Sequence, residues 1–193
     1  GQIVRIEVQD SNLLTGVSIK KTGPSEVMPN QPIRYMFLQI GNNSNVALDS
    51  FYWRDTLPAQ TTVNRLVTGT YNQAQNYKIV YKVNGVGTYR TLADNLSTTK
   101  NYVLDMRPAV LGLAANERVS EIMFVFGTVP AGFAQVETPV LYGTVCGGLS
   151  NGTNLVNSAD VGGLYSGQWV QAVSRWLTTV YAKMTMTLPK TGY

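Results

Sequence analysis

Tyr77-Lys78-Ile79-Val80-Tyr81-Lys82-Val83-Asn84-Gly85 decides the fold. Tyr77, Ile79, Tyr81 and Val83 share one face, and Lys78 and Lys82 take the other. That is the period of a half-buried strand. Asn84-Gly85 then supplies a dipeptide that tolerates positive φ, the signature of a tight hairpin. The same two-residue period recurs outward in both directions. Val4-Arg5-Ile6-Glu7-Val8 alternates, and Val17 and Ile19 alternate with Ser18 and Lys20. Ile33, Tyr35 and Phe37 fall on one face of the run 33–40. Val119 to Phe126 is apolar on both faces near its end, which predicts a central strand. Val136–Val145, Gln168–Val173 and Trp176–Met186 are the late strand candidates.

Turn chemistry separates these runs: Thr22-Gly23-Pro24, Gly41-Asn42-Asn43, Pro130-Ala131-Gly132 and Gly162-Gly163. Short strands with turns every 8–12 residues predict an all-β, antiparallel sandwich. The one helical candidate is 108–117. Pro108 suits a first helical position, but Gly112 limits it to a turn or two. Residues 17–135 hold enough strands for a complete sandwich. Residues 136–185 are too few for a second one unless the strand at 3–9 joins them, so 1–187 reads as one elaborated sandwich, with two packed lobes, about 10–135 and 136–187, as the lesser option.

The chain has 193 residues, 44 % hydrophobic and only 13 % charged, with a net charge of +4. Neutral polar residues must therefore cover the surface. Histidine is absent, which excludes a Ser-His-Asp triad, a Cys-His dyad and His-ligated metal. The single cysteine, Cys146, excludes an internal disulfide and reads as a small buried apolar residue. Basic residues are scattered, with Lys20-Lys21 the only adjacent pair, so the basic balance does not predict nucleic-acid binding. No cofactor loop is present: Gly85-Val86-Gly87 lacks the third glycine of a dinucleotide loop, and Gly147-Gly148 lacks a following Lys-Ser/Thr. An enzyme would need two facing carboxylates, and Asp49, Asp55, Asp94, Asp105 and Glu121 show no pairing in sequence.

The chain ends Leu188-Pro189-Lys190-Thr191-Gly192-Tyr193. Leu-Pro-x-Thr-Gly resembles the sorting motif of wall-anchored surface proteins of Gram-positive bacteria over all five positions. The resemblance implies an extracellular, non-enzymatic protein that is the substrate of a sortase. The sortase cysteine attacks the Thr191 carbonyl, the Thr191–Gly192 bond breaks, and a peptidoglycan or pilin amine takes over the acyl group. The residue types suit this. Pro189 fixes φ and bars helix, Leu188 offers an apolar anchor, and Gly192 leaves the scissile bond uncrowded. Lys190 fills the variable position. In the family an apolar span and a basic tail follow the motif; the sequence here ends at Tyr193.

Residues 17–66 resemble the Ig-like or prealbumin-like domains of such proteins. The resemblance rests on Val17-Ser18-Ile19-Lys20-Lys21-Thr22-Gly23-Pro24, Pro32-Ile33-Arg34-Tyr35, the Asn-rich 42–45, and Phe51-Tyr52-Trp53-Arg54-Asp55-Thr56-Leu57-Pro58. It implies an Ig-like sandwich serving as a stalk, spacer or adhesin-type module. Several relatives carry a Lys–Asn isopeptide bond catalysed by a neighbouring Asp or Glu. Such a bond needs a buried lysine held neutral, a carboxamide in contact with it, and a carboxyl kept protonated by burial. Lys20 and Lys21 are the candidate lysines, and alternation puts Lys21 on the face of Val17 and Ile19. Asp55, Asp105 and Glu121 are the candidate carboxyls, with Glu121 on the face of Val119 and Met123. The asparagine is missing from the last strand, where pilin-type relatives carry it. Asn42, Asn43 and Asn45 fall in a predicted turn, and Asn154 and Asn157 in a predicted loop. The alternative is a surface Lys21 and a solvated or paired Glu121.

A rival function is a carbohydrate- or host-protein-binding module. Trp53, Trp169 and Trp176 are the aromatics that an exposed ligand face would use, although Trp53 is also a natural core residue with a bonded indole N–H.

Overall fold

The computed structural model describes residues 12–182. The strand expected at 4–8 and the motif Leu188–Gly192 lie outside the described residues. The twelve strands are β1 (Val17–Thr22), β2 (Glu26–Val27), β3 (Pro32–Asn42), β4 (Leu48–Thr56), β5 (Thr61–Val67), β6 (Asn76–Val83), β7 (Val86–Ser97), β8 (Val103–Asp105), β9 (Val119–Val129), β10 (Val140–Val145), β11 (Asn154–Tyr165) and β12 (Gln168–Val180). A single-turn helix, α1 (Pro108–Leu111), ends at Gly112 in the left-handed region and buries no residue.

The strands form an Ig-like sandwich. A five-stranded sheet runs β1-β3-β10-β5-β8, and a seven-stranded sheet runs β2-β12-β11-β4-β9-β6-β7. Every pairing is antiparallel except the short β2–β12 contact. Asn84 (φ 53°) and Gly85 (φ 66°) make the β6–β7 turn, with both central residues at positive φ as the right-handed strand twist demands. β9 is central, between β4 and β6. Its inward residues Ile122, Phe124 and Phe126 join Phe37, Phe51, Trp53, Tyr71 and Phe133 in the core. Trp53 is its hub: the indole stacks on Phe124 at 4.0 Å, leans on Phe37 at 4.7 Å, and donates to the Tyr71 hydroxyl at 3.0 Å.

Three expectations fail, the first two for packing reasons. Residues 17–135 do not close a sandwich alone, because β10 fills the middle of the five-stranded sheet between β3 and β5. Gly162-Gly163 is not a turn but lies inside β11. A Cβ at Gly162 would stand 2.9 Å from the Tyr52 ring, and one at Gly163 2.8 Å from Leu48 Cβ. These glycines let β4 side chains lie flat against the neighbouring strand. Finally, Cys146 is exposed, just past the end of β10.

Candidate functional site

β1 enters the structure along the open side of the sandwich and packs against both β11 and β12. Its alternation turns Ile19 and Lys21 inward and leaves Lys20 exposed. The Lys21 side chain is fully enclosed. Its Nζ lies 4.2 Å from the centroid of the Tyr35 ring and 4.5 Å from that of Phe37. Opposite, on β4, Asp55 shares the inward face of Phe51 and Trp53 and is buried. Lys21 Nζ donates to Asp55 Oδ1. The second carboxylate oxygen, Oδ2, accepts from Asn157 Nδ2 at 3.3 Å. Asn157 is fully buried in β11, one pairing step from Ala159, which sits opposite Asp55. One amine, one carboxyl and one carboxamide thus meet in the core, each from a different strand.

Burial decides the chemistry of this cluster. Desolvation pulls the Lys21 ammonium down from 10.5 to about 8, against the pull of Asp55. Desolvation pushes the Asp55 carboxyl up, against Lys21 and Asn157. Both shifts favour the neutral pair, an amine beside a carboxylic acid. Asn157 Oδ1 is buried with no hydrogen-bond partner among the described residues. A 180° rotation of the carboxamide brings Oδ1 to the place of Nδ2, facing Asp55 Oδ2, where a protonated Asp55 donates to it. The orphaned acceptor and the buried acid then satisfy each other. The Tyr35 hydroxyl reaches the same pocket beside Asn157, Thr61 and Thr178 without completing a hydrogen bond.

The other sequence candidates are placed elsewhere. Lys20 faces solvent on β1. Glu121 lies on the outer face, accepting from the Tyr89 hydroxyl at 2.7 Å with Lys82 at 4.0 Å. The cause is a register shift: Lys82 pairs with Glu121 but Val83 with Val119, so Ser120 is an extra residue that reverses the phase of β9. Asp105 is an exposed partner of Arg107. Trp53 is core, and Trp176 is half-buried with its N–H on the Pro24 carbonyl at 2.8 Å. Trp169 is 52 % exposed. Asn157, expected in a loop, is the residue that sequence reasoning missed.

No family model matches the chain, and no curated protein matches it. Among solved structures it is similar to a cohesin module of a family 33 glycoside hydrolase from Clostridium perfringens, with 11 % identity over 88 % of this chain and 100 % of that one, and a TM-score of 0.45. It is similar to the major pilin subunit of Bacillus cereus, with 10 % identity over 86 % of this chain and 40 % of that one, and a TM-score of 0.47. A third is the collagen-binding domain of a Staphylococcus aureus adhesin, with 13 % identity over 87 % of this chain and 99 % of that one, and a TM-score of 0.39.

Proposed function

We propose that this chain is a non-enzymatic structural module of an extracellular, wall-anchored bacterial surface protein, and that it staples itself internally by an amide bond between Lys21 and Asn157. The carrying observation is the buried meeting of Lys21, Asp55 and Asn157. Three polar side chains deep in a sandwich core destabilise it unless they are consumed or fully satisfied. Here the chemistry to consume them is in place.

The reaction balances without a co-reactant. The neutral Lys21 amine attacks Asn157 Cγ while Asp55 donates its proton to Oδ1. Asp55 then takes a proton from the attacking nitrogen and passes one to Nδ2. The Cγ–Nδ2 bond breaks and ammonia leaves as Oδ1 returns its proton to Asp55, so the carbonyl re-forms, an Nζ–Cγ amide remains and Asp55 ends as the acid it began. The aromatic rings of Tyr35 and Phe37 hold the amine in place and exclude water. Intact-mass spectrometry tests this. The expected protein is lighter than its sequence by one ammonia, with a branched Lys21–Asn157 peptide after digestion. A mass equal to the uncorrected sequence refutes the bond.

Attachment to the wall is the second half of the proposal, supported by Leu188-Pro189-Lys190-Thr191-Gly192. Incubation with a class-A-type sortase and an amine nucleophile should cut after Thr191 and join the amine there. An accessible tail left uncut refutes this half and leaves the internal bond untouched.

A further inference from the structure

The outer face of the seven-stranded sheet carries a trough of about 410 Å³ that the internal staple does not use. Its floor is Arg54 on β4 and Asp160 on β11. Arg54 Nε and Nη2 donate to the two Asp160 oxygens at 2.9 and 2.7 Å. The Tyr52 hydroxyl also donates to Asp160, at 2.8 Å, and accepts from Gln171 Nε2 at 3.1 Å. Glu121 closes one side, and Val173 and Arg175 of β12 form the other. Trp169 stands beside the trough, its ring edge-on to Tyr52 at 5.9 Å and 77°.

We infer that this trough is a binding site for a neutral oligosaccharide, with Trp169 as the stacking wall. Several features converge on that ligand class. The trough's charges are paired except for one: Arg54 pairs with Asp160 and Glu121 with Lys82, and Arg175 on the β12 wall is exposed with no ion-pair partner among the described residues. An anionic polymer would find a better surface on the opposite sheet, where Lys20, Arg34 and Arg65 are exposed and have no ion-pair partner among the described residues. The paired groups keep unused hydrogen-bonding capacity. Asp160 Oδ1 has a further lone pair, Arg54 has spare N–H groups, and the Gln171 carbonyl oxygen is uncommitted. Interleaved donors and acceptors on rigid strands match ring hydroxyls, which both donate and accept. The apolar element matches too. An exposed indole covers the flat C–H face of a sugar ring, and Trp169 has no core role that explains its place. Trp169 and Val173 project from the same face of β12 four residues apart, about 13 Å at the rise of a strand. That span suits several linked rings rather than a monosaccharide. A protein partner needs roughly 800 Å² on each side, and a trough this size does not supply it.

Calorimetric titration and tryptophan fluorescence with chitohexaose, cellohexaose and mannohexaose test the site, with a heparin hexasaccharide as the charged comparison. At least one neutral hexasaccharide should bind and shift the fluorescence. Trp169→Ala and Gln171→Ala should each weaken that binding tenfold or more with the melting temperature unchanged, and Arg65→Ala should leave it intact. The inference is overturned if none of the three neutral sugars binds by about 1 mM, if Trp169→Ala keeps full affinity, if binding requires Arg65, or if only heparin binds.

Discussion

Replacing Asn157 by alanine tests the proposed staple separately from the rest of the core. The substitution deletes the acceptor carbon of the amide but leaves the Lys21–Asp55 contact in place. What would disappear is the proposed cross-link between residues 136 positions apart in sequence. Chain-entropy theory for a cross-link closing a loop of that length gives about 5 kcal/mol of stabilisation. The carboxamide itself contributes little, since its one hydrogen bond is 3.3 Å long and its oxygen is unpartnered. For a domain of this size the loss translates into a melting temperature lower by roughly 10–20 °C. Differential scanning calorimetry on wild type and Asn157→Ala, with intact masses on the same samples, measures both quantities. The expected pair of results is a wild type lighter by one ammonia and a variant at its full mass with the lower melting point. Melting points within about 3 °C, a shift worth about 1 kcal/mol here, together with an uncorrected wild-type mass, would show that no staple forms.

Other outcomes follow from the same cluster and its surroundings. In the Asn157→Ala background, Asp55→Ala strands Lys21 in the core and should cost a further 3–5 kcal/mol or so, whereas the added pair Lys21→Met/Asp55→Leu should recover most of it in urea titrations. That background should also show a pH signature. The folded Lys21 amine titrates near 8 and the unfolded one near 10.5, so between those values only the unfolded chain holds the proton. Stability should therefore rise with pH across that window relative to the Lys21→Met/Asp55→Leu/Asn157→Ala variant. Trp53→Ala should lose about 3–5 kcal/mol, against less than about 0.5 kcal/mol for the exposed Trp169→Ala, in the same denaturation assay. Gly163→Ala, whose Cβ would meet Leu48 at 2.8 Å, should destabilise by about 1–3 kcal/mol through overpacking.

The sequence made some of this legible and hid the rest for identifiable reasons. Alternation through Val17, Ile19 and Lys21 put the correct lysine inside, because a strand's side-chain period is strict. Asp55 was readable as a carboxyl beside the aromatic run 51–53. Glu121 misled because one extra residue in β9 reverses its phase, and a bulge leaves no mark in a single sequence. Asn157 stayed hidden behind Gly162-Gly163. Glycine pairs ordinarily punctuate loops; here they are the places where Tyr52 and Leu48 need a neighbour without a side chain. Reading them as a turn dissolved β11 into a loop, and the third member of the cluster went with it. The trough on the outer face was invisible for a different reason: its parts lie more than a hundred positions apart, as Arg54 and Asp160 do, and only the strand order joins them.

The position of the proposed staple in the chain would also set how far the module can stretch. Tension applied across residues 12–182 reaches Lys21 through the start of β1 and, once the proposed amide exists, crosses directly to Asn157. The 135 residues between them carry no pull, and about 460 Å of contour stays out of reach. Outside the loop, Ser158–Val180, essentially the β11–β12 hairpin, can be drawn out, releasing roughly 80 Å, with a shorter run of residues before Lys21 on the other side. The fold would then behave as a nearly inextensible link with one short yielding segment at its C-terminal side.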